Sequence, residues 1–193
     1  MKAPKSKQVQ LKFMDHSQNY FTLFGLPQQF TIDQNQLTDK FRQLQREVHP
    51  DRHVGKGKHQ QLLAMQFASY VNTAYQTLRS PLKRGEYLLE LAEIPINKET
   101  MTIGDSGFLL QQMQWRDRLS EAIKQQCKQT LSKLLSTVSD QSEKLLLEFN
   151  RTYEAKDFLL AKESIAKLHF VEKMMSEIKQ VKFSKTVDNS NPI

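Results

Sequence analysis

Residues 37–51 read LTDKFRQLQREVHPD and contain the strongest structural signal in the chain. The apolar residues of this segment recur at steps of four, three and four, so they share one stripe of a helix. They are Leu37, Phe41, Leu44 and Val48. The proline at position 50 disfavours helical geometry for the residue before it. We therefore predict an amphipathic helix that is capped by Asp33 and ends at Val48.

A second helical pattern follows a loop that runs from His49 to His59. Its apolar residues keep the helical spacing, and they are Leu63, Phe67, Val71, Ala74 and Leu78. Two amphipathic helices joined by a short loop bury their stripes against each other as an antiparallel hairpin. We predict this second helix from about residue 60 to 79, a short helix at 20–24, and a further one from Pro81 to Leu91.

The hairpin and its loop resemble a J-domain, the module by which co-chaperones engage ATPases of the DnaK type. The resemblance rests on His-Pro-Asp at residues 49–51 and extends to YFTLFGLP at 20–27 and NTAYQTL at 72–78. With SPLKRGEYLL at 80–89, the chain resembles the HscB family of J-proteins, which serve iron-sulfur cluster assembly. This resemblance covers nearly everything from Asn19 to the late 170s.

Pro95, Gly104 and Gly107 interrupt the helical patterns and mark a domain boundary. We predict an all-α protein in which a J-domain helical hairpin with a following helix occupies residues 19–91. A linker at 92–105 would lead to a C-terminal three-helix bundle at 106–182. A basic, disordered extension at 1–18 and a frayed tail at 183–193 complete the predicted organisation.

Within the C-terminal bundle, the pattern predicts helices at residues 106–129, 140–153 and 157–181. Asp140 and Glu143 would form a capping box at the start of the second helix, and Asp157 would cap the third. A group of leucines between the first two helices is predicted to form a turn that packs under the connection. This group consists of Leu131, Leu134 and Leu135.

Some apolar residues of the bundle lie outside the predicted core stripes. The core stripe of the first bundle helix comprises Phe108, Trp115, Leu119, Ala122 and Ile123, and that of the last comprises Ala161, Ile165, Leu168, Val171, Met175 and Ile178. The residues off these stripes are Leu109, Leu110, Met113, Phe170 and Met174. Such residues indicate a contact patch, although a neighbouring helix of the bundle would also account for them.

Charge and cysteine content restrict the classes of function. The net charge is +7, of which four lysines and Asp15 assign +3 to residues 1–18. Nucleic-acid binding is favoured only by this charge and finds no recognition motif, so we predict no nucleic-acid partner. Cys127 is the only cysteine, which excludes a disulfide within the chain and fits a reducing cytoplasm. No apolar run is long enough to span a membrane, and we expect no membrane partner.

The imidazoles around the loop do not form a convincing metal site. His49 and His53 are four residues apart, but Pro50 breaks the helix that would align them. His49 and Asp51 are also conceivable as an acid-base pair, yet no nucleophile motif or phosphate loop accompanies them. We predict no metal, no cofactor and no enzymatic activity for this chain.

The resemblance implies two sets of site residues. The first would bind an HscA-type chaperone ATPase and comprises His49, Pro50, Asp51, Lys40, Arg42 and Arg46. The second would bind an IscU-type scaffold protein and comprises Leu109, Leu110, Met113, Gln114, Arg116, Asp117, Glu121 and Phe170. The implied function is a co-chaperone that delivers the scaffold to the ATPase and stimulates ATP hydrolysis by that partner. The alternative is a general J-protein that delivers unfolded clients to a DnaK-type chaperone.

Overall fold

The structure is a computed structural model that describes residues 18–48, 58–96 and 104–187. These ranges contain seven helices and no strand, which confirms the all-α prediction. The helices are α1 (Tyr20–Phe24), α2 (Gln34–Val48), α3 (Lys58–Arg79), α4 (Pro81–Leu91), α5 (Ser106–Lys124), α6 (Lys128–Glu154) and α7 (Phe158–Val187). The chain divides into two compact units between Leu88 and Leu89.

In the first unit, α2 and α3 form the antiparallel hairpin predicted from their apolar stripes. Tyr75 contacts the early part of α2, because its ring stacks on Phe41 at 3.9 Å and its hydroxyl lies 3.5 Å from the Thr38 hydroxyl. Gln45, one helical turn after Phe41, instead donates a 3.4 Å hydrogen bond to Asn72, which precedes Tyr75. The contacts therefore run in opposite directions along the two helices.

The short helix α1 is fixed at both ends. The side chain of Asn19 accepts a 2.8 Å hydrogen bond from the Thr22 amide, and Gly25 ends the helix with a φ of 63°. Phe21 and Phe24 are each 1% exposed, so this one-turn helix places two large side chains in the core. Because a helix this short is unstable alone, its tertiary contacts must hold it in place.

A buried arginine braces the end of α3. The guanidinium of Arg84 donates a hydrogen bond to the Leu78 carbonyl and lies 5.0 Å from the centre of the Phe30 ring. Burial lowers the pKa of Arg84 to about 10, which leaves the group charged at neutral pH. Arg84 thus supplies a donor for one of the carbonyls that the last turn of α3 leaves without a helical partner.

The second unit is a three-helix bundle dominated by the pair α6 and α7. A link at residues 155–157 joins these helices, which is short enough to require antiparallel neighbours. Leu131, Leu145 and Phe149 of α6 and Ile165 and Leu168 of α7 are almost fully buried. Helix α5 packs against both through a stripe formed by Phe108, Trp115, Leu119 and Ala122.

The predicted boundary between the first two bundle helices is wrong. Helix α5 ends at Lys124 rather than residue 129, and α6 begins at Lys128 rather than near Asp140. Asp140 therefore lies within a helix and starts no capping box. The leucines at positions 131, 134 and 135 are helical, and two of them are buried in the core instead of forming a turn.

A left-handed residue other than glycine explains the missed end of α5, and a second one ends α6 one residue after the predicted position. Gln126 and Lys156 have φ values of 53° and 58°, and each follows the last residues of a helix. After Gln126, the Cys127 amide reaches back to the Ala122 carbonyl at 3.1 Å, and after Lys156 the Asp157 amide reaches the Thr152 carbonyl at 2.9 Å. These bonds satisfy the free carbonyls of a helix end in the way that glycine usually permits.

Further differences concern the core and the end of the last helix. Ile123, predicted in the core, is 39% exposed, whereas Met174, predicted off the stripe, is 1% exposed and Met175 is only half-buried. The core stripe drifts around α7 because 3.6 residues per turn do not divide a seven-residue repeat evenly. Helix α7 continues to Val187 rather than ending at 181, since no glycine or proline interrupts residues 182–187. The Asp157 cap is confirmed by a 3.2 Å bond from the Leu160 amide.

Candidate functional site

The basic residues singled out on α2 are exposed, and two of them, Arg42 and Arg46, share one face of the helix. Lys40, Arg42 and Arg46 are all exposed to solvent. The Asp39 carboxylate lies 3.8 Å from the Arg42 guanidinium, and both side chains are more than two-thirds exposed. A surface pair of this kind contributes little stability and leaves the positive potential of the face in place.

His49, Pro50 and Asp51 lie outside the residues that the structure describes. Their proposed role in binding an ATPase therefore stays a prediction. Helices α2 and α3 flank this tripeptide in the sequence, since α2 ends at Val48 and α3 begins at Lys58.

In the first two turns of α5, three large apolar side chains face solvent. Leu109 is 45% exposed, Leu110 is 57% exposed and Met113 is 63% exposed. We call these three residues the α5 patch. The predicted exposure of these side chains is confirmed, and neither α6 nor α7 covers them. Isolated exposed apolar residues are common on protein surfaces, but three within two helical turns indicate a contact surface.

Polar residues continue the patch along the outer side of α5. Gln114, Arg116, Asp117 and Glu121 are all exposed. Glu121 accepts a 2.9 Å hydrogen bond from the Gln125 side chain near the helix end. An apolar centre with a rim of polar and charged groups is the usual composition of a protein-protein interface.

Phe170 differs from the other residues predicted to bind a scaffold. Its ring stacks on Trp115 at 6.4 Å and meets Phe108 edge to face at 6.1 Å, and its side chain is half-buried. The Arg116 guanidinium lies 5.4 Å from the ring centre. Phe170 therefore packs behind α5 and joins it to α7, so it is not an apolar side chain stranded on the surface.

An ion pair between α5 and α7 was not found by sequence reasoning. The Lys167 ammonium lies 2.8 Å from Asp105 Oδ2 and 3.0 Å from Glu163 Oε1, and it sits 5.7 Å from the centre of the Phe108 ring. The second oxygen of Asp105 accepts a 3.0 Å bond from the Phe108 amide and so caps α5. The cap position was readable from the sequence, but its partner is 62 residues away.

The protonation states of this pair favour the charged forms. The hydrogen bond from Lys167, followed by that from the Phe108 amide, lowers the pKa of Asp105. Burial opposes the charge of Lys167, but its hydrogen bonds to Asp105 and Glu163 outweigh this and raise the pKa of Lys167. Both groups are therefore ionised throughout the neutral range.

Within residues 18–48, 58–96 and 104–187, no three His, Cys, Asp or Glu side chains converge as metal ligands would. Among the described helices, none is long and apolar enough to cross a membrane. Cys127 is half-buried, and the hydrogen bond that its sulfur accepts from the Thr130 hydroxyl, 3.1 Å long, lowers the pKa of the thiol.

Two family models match the two parts of the chain. The DnaJ domain matches residues 19–87, and the HSCB C-terminal oligomerisation domain matches residues 104–179. A co-chaperone protein HscB homolog from Aeromonas salmonicida is 37% identical over 163 residues, which cover 84% of this chain and 95% of that protein. A homolog from Shewanella baltica is also 37% identical, over 84% of this chain and 96% of its own length.

Solved structures agree in fold. The chaperone HscB from Vibrio cholerae superposes with a TM-score of 0.78 at 35% identity and covers 86% of this chain and 99% of its own. The human co-chaperone protein HscB gives a TM-score of 0.82 at 30% identity, over 87% and 84% of the two chains. Both domains are thus matched in sequence and in structure, and the chain belongs to the HscB family of J-domain co-chaperones.

Proposed function

We propose that this protein binds an IscU-type iron-sulfur scaffold protein, delivers it to an HscA-type chaperone ATPase and stimulates ATP hydrolysis by that partner. It would thereby support cluster transfer and protein maturation in the cytoplasm, and would have no catalytic activity of its own. The exposed α5 patch is the observation that supports this proposal most directly, because it is an interface-like surface in the domain that distinguishes HscB proteins from other J-proteins.

The scaffold would contact the α5 patch and its polar rim. Each Å² of apolar surface that is buried contributes about 25 cal/mol. Three large apolar side chains would therefore supply a substantial share of the binding free energy. Arg116, Asp117 and Glu121 would set orientation and exclude wrong partners more than they would add affinity. Phe170 would contribute by supporting α5 from behind, consistent with its contacts to Trp115 and Phe108.

The ATPase would dock on the first unit. Arg42 and Arg46, one helical turn apart, give α2 a positive face that attracts an acidic partner surface over long range, and Lys40 adds positive charge on another side of the same helix. His49, Pro50 and Asp51 would then bind the hydrolysis-competent state of the ATPase better than its resting state. Such differential binding is what shifts the equilibrium of the partner. Holding scaffold and ATPase on one chain would raise their effective concentration for each other.

The experiment that tests this proposal combines purified components. We expect the full chain to bind an IscU-type scaffold, to accelerate steady-state hydrolysis by an HscA-type ATPase, and to accelerate it further when the scaffold is present. An Ala variant at Leu109 and Met113 should keep the first acceleration and lose the scaffold-dependent part. Absence of scaffold binding by the wild-type chain would refute the proposal.

A general J-protein that delivers unfolded clients is the second candidate, and the same exposed apolar patch would serve it. The two candidates differ in client choice. A reduced, unfolded test protein should compete with scaffold for the α5 patch only if the general reading is correct. We expect no competition at concentrations where a natively folded scaffold is bound.

A further inference from the structure

The first turns of α5 are weak as an isolated helix, although they carry the α5 patch. Gly107 lies in the first turn, and glycine loses more backbone freedom than alanine when a helix forms. The first turn also contains no acidic side chain that would interact with the helix dipole. Since Leu109, Leu110 and Met113 face solvent, their own side chains do little to hold this part of the helix against the bundle.

Two buried or partly buried groups hold the start of α5 in place, and Lys167 touches both. Its ammonium bonds to Asp105, the residue that caps α5, and lies over the ring of Phe108, the first core side chain of the helix. Asp105 also accepts from the Leu109 amide through its main-chain carbonyl at 3.0 Å. A chain of direct contacts therefore runs from α7 to the backbone of the patch.

Neighbouring residues hold Lys167 in this position. The Lys167 side chain is only 13% exposed, and Glu163 on the preceding turn of α7 orients its ammonium at 3.0 Å. Gly107 leaves room for the carboxylate, because a Cβ added there would lie 3.2 Å from Asp105 Oδ1. The glycine that weakens the turn is thus compatible with the close approach that secures it.

We propose that Lys167 is a positioning residue for scaffold binding, which acts by holding the Asp105 cap and Phe108 so that the α5 patch is presented as ordered helix. This inference rests on the proposed function of the patch. We call the contacts of Lys167 with Asp105 and Phe108 the Lys167 lock. Without it, the first turns of α5 would fray, and a scaffold would bind only the fraction of molecules in which these turns are ordered. Apparent affinity falls in proportion to that fraction.

Four full-length variants test the inference. Lys167→Met removes the charge but keeps a long unbranched apolar side chain, and Lys167→Arg keeps the charge. Asp105→Asn keeps a good N-cap while it removes the ionic partner, so it separates the lock from the cap. Lys173→Met is the matched control, because Lys173 lies exposed on the same helix. If Lys167→Met folds poorly, Asp105→Asn still tests the effect of losing the ion pair.

The first measurement is hydrogen exchange in the free protein, which needs no partner. We expect Lys167→Met and Asp105→Asn to accelerate exchange of the amides at residues 109–113, with little change in α6 and the middle of α7. Lys167→Arg should stay close to wild type, and Lys173→Met should be unchanged. Unaltered exchange at 109–113, or an equal rise throughout the bundle, would overturn the positioning role.

The second measurement is affinity for an IscU-type scaffold. We expect Lys167→Met and Asp105→Asn to weaken binding by about threefold to tenfold, as a partly frayed site would, and Lys167→Arg to restore it. Faster exchange without weaker binding would refute the inference. The Ala variant at Leu109 and Met113 tests the α5 patch separately from Lys167. Normal scaffold binding by that variant would refute the patch as the scaffold site. The exchange measurement would still show whether Lys167 keeps the start of α5 ordered.

Discussion

Trp115 of α5 and Phe170 of α7 stack with their ring planes 15° apart and their centres 6.4 Å apart. This contact joins the helix that bears the α5 patch to the longest helix of the bundle. It also separates Phe170 from the residues with which sequence reasoning had grouped it, because the ring is half-buried between helices.

Phe170→Ala should therefore lower both stability and scaffold binding. We expect a loss of about 1–3 kcal/mol in the free energy of unfolding, less than for a fully buried phenylalanine. The measurement is urea unfolding together with scaffold titration. Phe170→Leu, which keeps most of the volume, should recover much of both quantities. Wild-type stability of Phe170→Ala would show that the ring belongs to the surface.

The α5 patch should behave in the opposite way. Replacing Leu109, Leu110 and Met113 together by alanine should change the unfolding free energy by no more than about 1 kcal/mol, because exposed substitutions contribute little and alanine favours helix. Scaffold binding should fall sharply. Phe108→Ala serves as the buried control and should cost about 3–5 kcal/mol. A triple variant that melts as early as this control would place the patch in the core.

The tripeptide at residues 49–51 should act on the partner and not on the fold. His49→Gln and Asp51→Asn should leave the circular dichroism spectrum and the melting temperature close to wild type, because neither residue belongs to an apolar stripe. Stimulation of the ATPase should be lost while scaffold binding remains. Normal stimulation by either folded variant would argue against the J-domain role.

The positive face of α2 should control the rate of docking. Charge reversal at Arg42 and Arg46 should lower the association rate with the ATPase, and added salt should slow the wild type towards the same value. Dissociation should change less. Reversal at Lys128 and Lys144, which are exposed on α6, provides a control with the same change in net charge. Equal effects of the two double variants would mean that net charge alone matters.

Acid should weaken the lock between Asp105 and Lys167. The folded state holds the pKa of Asp105 below its ordinary value, so this group stabilises the fold above the unfolded pKa of about 3.9 and ceases to do so as the pH falls through its folded pKa. The raised pKa of Lys167 affects stability only in alkali, above about pH 10. The stability difference between wild type and Asp105→Asn should therefore be largest near neutrality and shrink below about pH 4. Urea unfolding at several pH values measures it, and a constant difference would contradict the assignment.

Periodic apolar patterns predicted the hairpin and most of the core. Leu37, Phe67, Val71 and Leu78 are buried on facing sides of α2 and α3, as their spacing indicated. The α5 patch was predictable in the same way, because the period of 3.6 residues per turn assigns each residue to a side of the helix. Phe170, predicted off the core stripe and partly exposed, is half-buried against Trp115 and Phe108. Periodicity along a single helix does not predict such contacts, because they depend on how α7 packs on α5.

Helix ends that the usual residues mark were predicted well. Asp33, Asp105 and Asp157 each accept a hydrogen bond from an amide of the following turn, and Gly25 ends α1. Gln126 and Lys156 carry out the same left-handed termination without glycine, at a cost of about 1–2 kcal/mol each that surrounding contacts must offset. The end of α5 was missed because Gln126 carries no local sequence signature, whereas the end of α6 was predicted within one residue. The Lys167 lock, set by tertiary contact, has no signature either.

The three-residue link between α6 and α7 also bears on the order of folding. Contacts near this link join residues that are close in sequence, so the loop-closure entropy of forming them is small and we expect this hairpin to form early. The contacts of α5 with α7 span about 60 residues, as Asp105 and Lys167 show with their separation of 62. During synthesis α5 leaves the ribosome before either helix on which it packs. Helix α5, which carries the patch, is therefore the first helix of the bundle to be synthesised, and we expect it to be the last to pack against the others.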